Sequence, residues 1–402
     1  MSEGTNNLKT KFDGMVLTIY LEGKITKETI PSLEKSIFTA ISAYPKTLPK
    51  FDAERLKEIS SEGLHFLKKI KDTIGLRLRI QNVSQEIYDI FEASGFTELF
   101  NIKKAFGTMN VEGMECVGTG ITCKVLKISD DKIIKLYNPN VNYDLIIEKE
   151  HDSSRAAFVA GVSTPITYDI VKVGECYGTI YEYIDAKDFS IVMSNDKEHL
   201  EEYVRAYANA VKKNHGIKLN PEKTISVKKN SLDTLQLLEG EGKLLNKEEK
   251  EKIQKIYENI PDSDTFVHGD CYPGNAKYKD GKIIFIDLAE CGRGHPIFDL
   301  VSMHNFYNIR GKDPEKRKST PGLKEFTDEE IKKIYDIFLK EYLGTEDKNL
   351  IEKAYKQIEA VACSRLIFAE IAMPGAIPRQ ILEIFKGIAL SHYDSGLEPI
   401  CF

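Results

Sequence analysis

Between Phe266 and Leu300 the chain sets two aspartates and an asparagine around a turn: Asp270, then Asn275, then Asp287 after the apolar run Ile283-Ile284-Phe285-Ile286. Mg²⁺ takes oxygen ligands and commonly uses a few carboxylates together with substrate phosphates. Asn275 and Asp287 offer an amide oxygen and a carboxylate for such a cation. A separate carboxylate must accept or orient the proton of an attacking hydroxyl, and Asp270 suits that role. Asp280-Gly281 favours a type I′ hairpin turn. With those two residues as the loop, Lys279 faces Lys282, and counting outward sets Ala276 opposite Phe285 and Asn275 opposite Ile286. Opposed residues lie about 5 Å apart, so Asn275 falls beside the neighbour of Asp287. Two other readings stand next to this one. Asp and Asn are common at turns, so the stretch could be the polar end of an ordinary hairpin. His268 and His295 could also join Asp270 and Asp287 on zinc or manganese in a metallohydrolase, although the gap from Asp287 to His295 matches no such spacing. His268 reads better as a residue that hydrogen-bonds the loop.

Phosphoryl transfer also needs cations or backbone donors on the nucleotide phosphates. Lys135 stands inside the apolar stretch Ile133-Ile134-Lys135-Leu136-Tyr137. A lysine there snorkels from an edge strand or points into a site. Glu150 follows on a helix pattern at the spacing of an ion-pair partner, with Glu148 as its competitor. Gly118-Thr119-Gly120 precedes them where a phosphate-covering loop belongs. The strand Gly178 to Ala186 leads into a hinge whose backbone near Glu182 to Ile184 could hold adenine. Glycine loop, lysine, glutamate, H-x-D-x-x-x-x-N loop and later aspartate is the order of parts in kinases. Here that loop is His268-Gly269-Asp270-Cys271-Tyr272-Pro273-Gly274-Asn275.

On these residues, 107–402 resemble the aminoglycoside phosphotransferase family of kinase-like enzymes. The motif H-G-D-x-x-x-x-N stands intact as His268, Gly269, Asp270 and Asn275, the metal aspartate is Asp287 in "FIDL", and Gly294-His295-Pro296 with Asp299-Leu300 is similar to a segment that buttresses the site. The resemblance implies ATP and Mg²⁺ as cofactors, Asp270 as catalytic base, Asn275 and Asp287 on metal, and Lys135, Glu150, Gly118, Gly120, Glu182 and Ile184 around the nucleotide. It implies a small-molecule hydroxyl as acceptor without naming it. The chain has no Trp, which weakens a choline-type aromatic cage without excluding one built of Tyr.

The front of the chain reads differently. Leu17, Ile19 and Leu21 alternate as a strand, Leu33, Ile37 and Ile41 recur as a helix, and "GLRLRIQNV" (75–83) alternates again. "SQEIYDIFEASGF" opens on Ser84 as an N-cap and closes on Gly95 as a C′ residue. With "ISSEGLHFLKKI" (59–70), this stretch resembles STAS domains, the anti-sigma-factor-antagonist fold. That family commonly carries a phosphorylatable Ser directly before the Gly at the helix start; here the residue before Gly63 is Glu62. Ser60 and Ser61 read as helix caps.

The expected architecture is α/β plus α+β: a STAS-like α/β sandwich over 1–106, a β-rich kinase-like N-lobe over 107–186, and a helical C-lobe with the catalytic hairpin over 187–402. At 402 residues the chain is too long for one core. A net charge of −6 argues against a nucleic-acid partner. No apolar run approaches the roughly 20 residues of a membrane span. The polar opening MSEGTNNLKT is unlike a signal peptide. Seven cysteines without a C-x-x-C pair fit a reducing cytoplasm. A protein partner is expected through the STAS-like part. The alternative function is a non-catalytic nucleotide-binding regulator acting through that partner.

Overall fold

Alternation along residues 16–21 puts Leu17, Ile19 and Leu21 on one face, and all three are buried. They belong to the first of two compact units, Met1–Met109 and Asn110–Phe402, of this computed structural model. It describes residues 8–402 apart from Met15, Lys46, Ile121, Lys223, Glu241, Met373 and Leu397. The opening heptapeptide, most of the stretch read above as unlike a signal peptide, lies outside the described residues.

The first unit runs β1 (Thr10–Phe12), β2 (Val16–Ile25), α1 (Ile30–Ala43), β3 (Leu48–Ile59), α2 (Ser61–Ile74), β4 (Arg79–Val83), α3 (Gln85–Ala93), β5 (Asn101–Lys104) and β6 (Gly107–Thr108). The first five strands form one sheet in the order β1-β2-β3-β4-β5. β1 pairs antiparallel with β2, and the other pairings are parallel, as βα crossovers require. Phe51, Leu67, Ile70, Ile80 and Phe91 are core residues. Ser60 caps α2, its Oγ accepting the Gly63 N–H at 3.2 Å. Gly63 has to be glycine, since a Cβ there would stand 2.5 Å from the Ile25 carbonyl oxygen. Ser84 caps α3, and Gly95 follows it at φ 74°.

Two details differ from the sequence reading. The strand expected over 75–83 begins only at Arg79, because Gly75 ends α2 in the left-handed region. The long strand β3 was not expected at all. Its buried positions include Lys50 and Asp52, which disguise an interior strand as a solvated one. Asp52 is sustained there by the side-chain amides of Asn82 at 2.8 Å and Gln81 at 3.3 Å.

The second unit opens with β7 (Glu115–Thr119), β8 (Cys123–Lys127), β9 (Lys132–Tyr137), a π-helical turn (Tyr143–Ile147), α4 (Glu148–Val159), β10 (Thr167–Val173) and β11 (Cys176–Glu182). Its strands lie in the order β10-β11-β9-β8-β7, each antiparallel to the next. Then come β12 (Lys187–Asp188), α5 (Phe189–Asn195), α6 (Leu200–Asn214), α7 (Val227–Gln236) and α8 (Lys247–Glu258). α8 opens on a reciprocal cap between Asn246 and Glu249. β13 (Phe266–Val267), β14 (Ala276–Lys279), β15 (Lys282–Phe285) and β16 (Gly292–Arg293) carry the motif region. Helices close the chain: α9 (Ile297–His304), α10 (Pro314–Ser319), α11 (Asp328–Leu343), α12 (Lys348–Ile367), α13 (Ala369–Ala372) and α14 (Arg379–Asp394).

The hairpin has the register counted from the sequence: Lys279 faces Lys282, and Ala276 faces Phe285. Asp280 and Gly281 have φ of 49° and 77°, both positive as a type I′ turn demands. Beyond the ladder, the Ile286 N–H donates to the Asn275 carbonyl at 3.0 Å. Phe285 and Ala276 face a core that also holds Phe189, Tyr207 and Phe338.

Candidate active site

Lys135 lies in the middle of β9, opposite Val125 on β8 and Thr179 on β11. Its ammonium donates to Glu150 Oε1 at 2.7 Å and to Asp287 Oδ1 at 2.9 Å. Glu150, in the first turn of α4, is only 2% exposed. An ionised carboxylate at that depth needs several donors. It has them: Tyr137 Oη donates at 3.0 Å and Tyr181 Oη at 3.2 Å. Burial, and next the charge of Glu150, push both phenols well above the usual tyrosine range, so they stay protonated donors. Burial alone would lower the Lys135 pKa; the charges of Glu150 and Asp287 outweigh it and raise it. Of the two glutamates weighed from the sequence, Glu150 is the one on Lys135. Tyr137 could have been found: two residues past Lys135 on a strand, it shares that face. Tyr181 carries no sequence signal of this kind.

The loop before the hairpin is held by its backbone. Asp299, in the first turn of α9, accepts the Gly269 N–H at 2.7 Å on Oδ1 and the His268 N–H at 2.9 Å on Oδ2. His215 Nε2 donates to the same Oδ2 at 2.9 Å, and Nδ1 of that ring meets Tyr342 Oη at 2.7 Å. Burial works against the Asp299 carboxylate, but the hydrogen bond and charge of His215 hold its pKa below the usual range. Gly269 sits at φ 85°, where a Cβ would be 2.3 Å from the Glu290 carbonyl oxygen.

His268 uses both ring nitrogens on the backbone. Nδ1 accepts the Asp270 N–H at 3.3 Å, which leaves Nε2 to donate to the Ile286 carbonyl at 3.0 Å. The ring therefore ties the loop to the residue before Asp287 and has no lone pair left for a metal. His295 Nδ1 accepts the Ile297 N–H at 3.2 Å. Among the described residues, no cluster of His, Cys, Asp and Glu could hold a metal in the manner of a hydrolase.

Asn275, 8% exposed, donates through Nδ2 to the Asp270 carbonyl and to Asp270 Oδ2, both at 2.9 Å. Its Oδ1 has no hydrogen-bond donor among the described residues. Asp287 is half exposed at φ 60°, a conformation that costs a non-glycine residue energy and recurs at functional sites. Asp270, Asn275 and Asp287 thus gather at the end of the hairpin with Lys135 in contact.

The other sequence candidates fall nearby in different ways. Gly118 pairs with Val125, in the cross-strand row that continues to Lys135. The Gly120 N–H donates to the Cys123 carbonyl at 2.9 Å and closes the β7–β8 turn. The Glu182 carboxylate accepts the Ile166 N–H at 3.1 Å, so its side chain is structural. Ile184 makes no hydrogen bond among the described residues. A cleft of about 1320 Å³ is lined by Thr119, Asp270, Tyr272 and Glu290 and continues between α9, α10 and α12.

The phosphotransferase enzyme family matches residues 124–319 and the STAS domain residues 7–109. No curated protein matches. Among solved structures, a choline/ethanolamine kinase family protein from Mesorhizobium loti is similar at 15% identity, covering 70% of this chain and 92% of its own, with a TM-score of 0.45. An aminoglycoside phosphotransferase from Streptomyces rimosus, solved with ADP and streptomycin, shares 16% identity over 70% of this chain and 92% of its own (TM-score 0.34). A macrolide 2′-phosphotransferase from Brachybacterium faecium shares 14% over 71% and 96% (TM-score 0.37). The chain joins a STAS domain to a domain of the phosphotransferase enzyme family.

Proposed function

We propose that the second unit transfers the γ-phosphoryl group of ATP to a hydroxyl of a small molecule. One observation carries the reading: Lys135, fixed by Glu150, lies against Asp287 beside the Asp270–Asn275 loop. In this reading the acceptor oxygen attacks the γ-phosphorus as the bond to the β-phosphate oxygen breaks. ADP leaves with that electron pair, and the hydroxyl proton passes to the Asp270 carboxylate. Asn275 fixes that carboxylate by a hydrogen bond to Oδ2. Lys135 meets phosphate oxygens, and the Ile184 backbone meets the base.

Asp287 and the Asn275 Oδ1 would hold Mg²⁺. A carboxylate and an amide oxygen fit a hard cation, and the Asn275 amide is already turned with its nitrogen on Asp270. Bound there, Mg²⁺ would neutralise charge on the transferring phosphates. The unpaired cysteines fit a cytoplasmic setting, and among the described residues no helix is long and apolar enough to cross a membrane. We assign the STAS domain to binding a protein partner. The test is ADP release and γ-phosphate labelling with ATP, Mg²⁺ and a cell metabolite extract, for the wild type and Asp270→Asn. A labelled product from the wild type and none from the variant is the expected result; equal labelling sinks the assignment.

A further inference from the structure

Arg365 lies in the last turn of α12, half-buried, on the wall of the cleft that Asp270 also lines. Phe298, Leu366, Phe368 and Phe385 line the same cleft. Among the described residues its hydrogen bonds run only from Nη1, to the Phe298 carbonyl and Ser302 Oγ, both at 3.4 Å and near the limit of a useful bond. No carboxylate pairs with it among the described residues. The end of α12 and one carbonyl offer partial charge, not a counter-ion. A guanidinium partly withdrawn from water beside apolar rings is costly unless an anion meets it, and its planar fork matches carboxylate and phosphate groups.

Arg365 is also tied to the reaction centre. Ser302 Oγ, which takes its hydrogen bond, donates to the carbonyl of Gly269, the residue before Asp270. A second cation, Arg310, lines the same cleft near Tyr272 and has no acidic partner among the described residues. The acids of the lining are less available for a cationic acceptor. Asp188 is paired with Lys277, and Asp270 is bonded to Asn275, which leaves the exposed Glu290.

We infer that the acceptor is an anionic hydroxyl compound, whose carboxylate or phosphate seats on Arg365 while its hydroxyl faces Asp270. This rests on the phosphotransfer reading for the role of Asp270, but the binding it requires does not need ATP. Calorimetry on the full chain at fixed ionic strength tests it with glycerate and glycerol 3-phosphate as the two anionic probes. Glycerol serves as the neutral probe and kanamycin as the cationic one. At least one anion is expected to bind tenfold or more tighter than glycerol, and the preferred probe tells carboxylate from phosphate. Arg365→Gln should weaken it at least tenfold, and Lys333→Gln, which removes an exposed cation outside the cleft lining, less than threefold. Should Arg365→Gln lose its fold, Arg365→Lys keeps the charge without the fork and should weaken binding at least threefold. Failure of both anions to bind, retention of binding in Arg365→Gln, or tighter binding of kanamycin overturns the inference. A wild type that binds the anion yet transfers no phosphate to it sinks the phosphotransfer reading alone.

Discussion

Lys135 Nζ lies 2.7 Å from Glu150 Oε1, joining the central strand of the antiparallel sheet to the start of the helix that follows it. The carboxylate is buried, so loss of the lysine would leave it with two neutral phenols. Lys135→Met and Glu150→Ala should each depress kcat/KM. The double variant should fall short of their product, with a coupling energy of about 2 kcal/mol. Additive losses in that cycle would show that the two do not act as a unit.

Asp270 and Asp287 should separate chemistry from binding. Asp270→Asn is expected to lower phosphoryl transfer by roughly 10²- to 10⁴-fold while nucleotide affinity stays within a few-fold. Asp287→Ala should remove the Mg²⁺ dependence of nucleotide binding. Titration with a fluorescent nucleotide, with and without Mg²⁺, reads both, and identical curves for the two variants would contradict the division of roles.

Gly269 has no room for a side chain. Gly269→Ala drives a methyl into the Glu290 carbonyl oxygen at a positive φ, which should cost about 2 kcal/mol or more. It should also shift the Asp270 carboxylate and cut turnover more than tenfold. Thermal melting and steady-state rates measure the two effects; a variant as stable and as fast as wild type would show the loop to be pliable.

Burial pushes the pKa of both His295 and His304 down to about 4. The unfolded chain takes up these protons near pH 6.5 and the folded chain only near 4. Stability is therefore full above about pH 6.5 and falls as pH drops toward 4, by about 1.4 kcal/mol per pH unit for each ring. His295→Asn keeps an acceptor for the Ile297 N–H and removes one titration, so its melting temperature should depend less steeply on pH between 6.5 and 4.5. An unchanged slope would show that His295 titrates normally.

Local pattern carried the hairpin: a two-residue turn sets every partner on either side, so Asn275 and Asp287 could be placed together by counting. Lys135 and Glu150 were legible because strand and helix follow each other directly. β3 was not, since Lys50 and Asp52 stand among its interior positions and only the folded neighbours Gln81 and Asn82 on β4 show that the Asp52 carboxylate is met. His215 and Tyr342 were invisible for a related reason. Each lies far along the chain from Asp299, His215 just past the end of α6 and Tyr342 near the end of α11, and a single polar residue at a helix end has no periodicity. The Glu182 side chain shows the converse, a residue at the expected hinge whose carboxylate is taken up by its own sheet.

The relay from Tyr342 through His215 to Asp299 spans sequence separations of 127 and 84 residues. It ends on two backbone amides of the loop that presents Asp270. Contacts of such separation form only after long loops have closed. A growing chain that has exposed Asp270, Asn275 and Asp287 but not yet α11 therefore lacks the Tyr342 hydroxyl that fixes the His215 ring on the loop's anchor, Asp299. During synthesis, competence should arrive with the closing helices, all together, long after the residues that do the chemistry have left the ribosome.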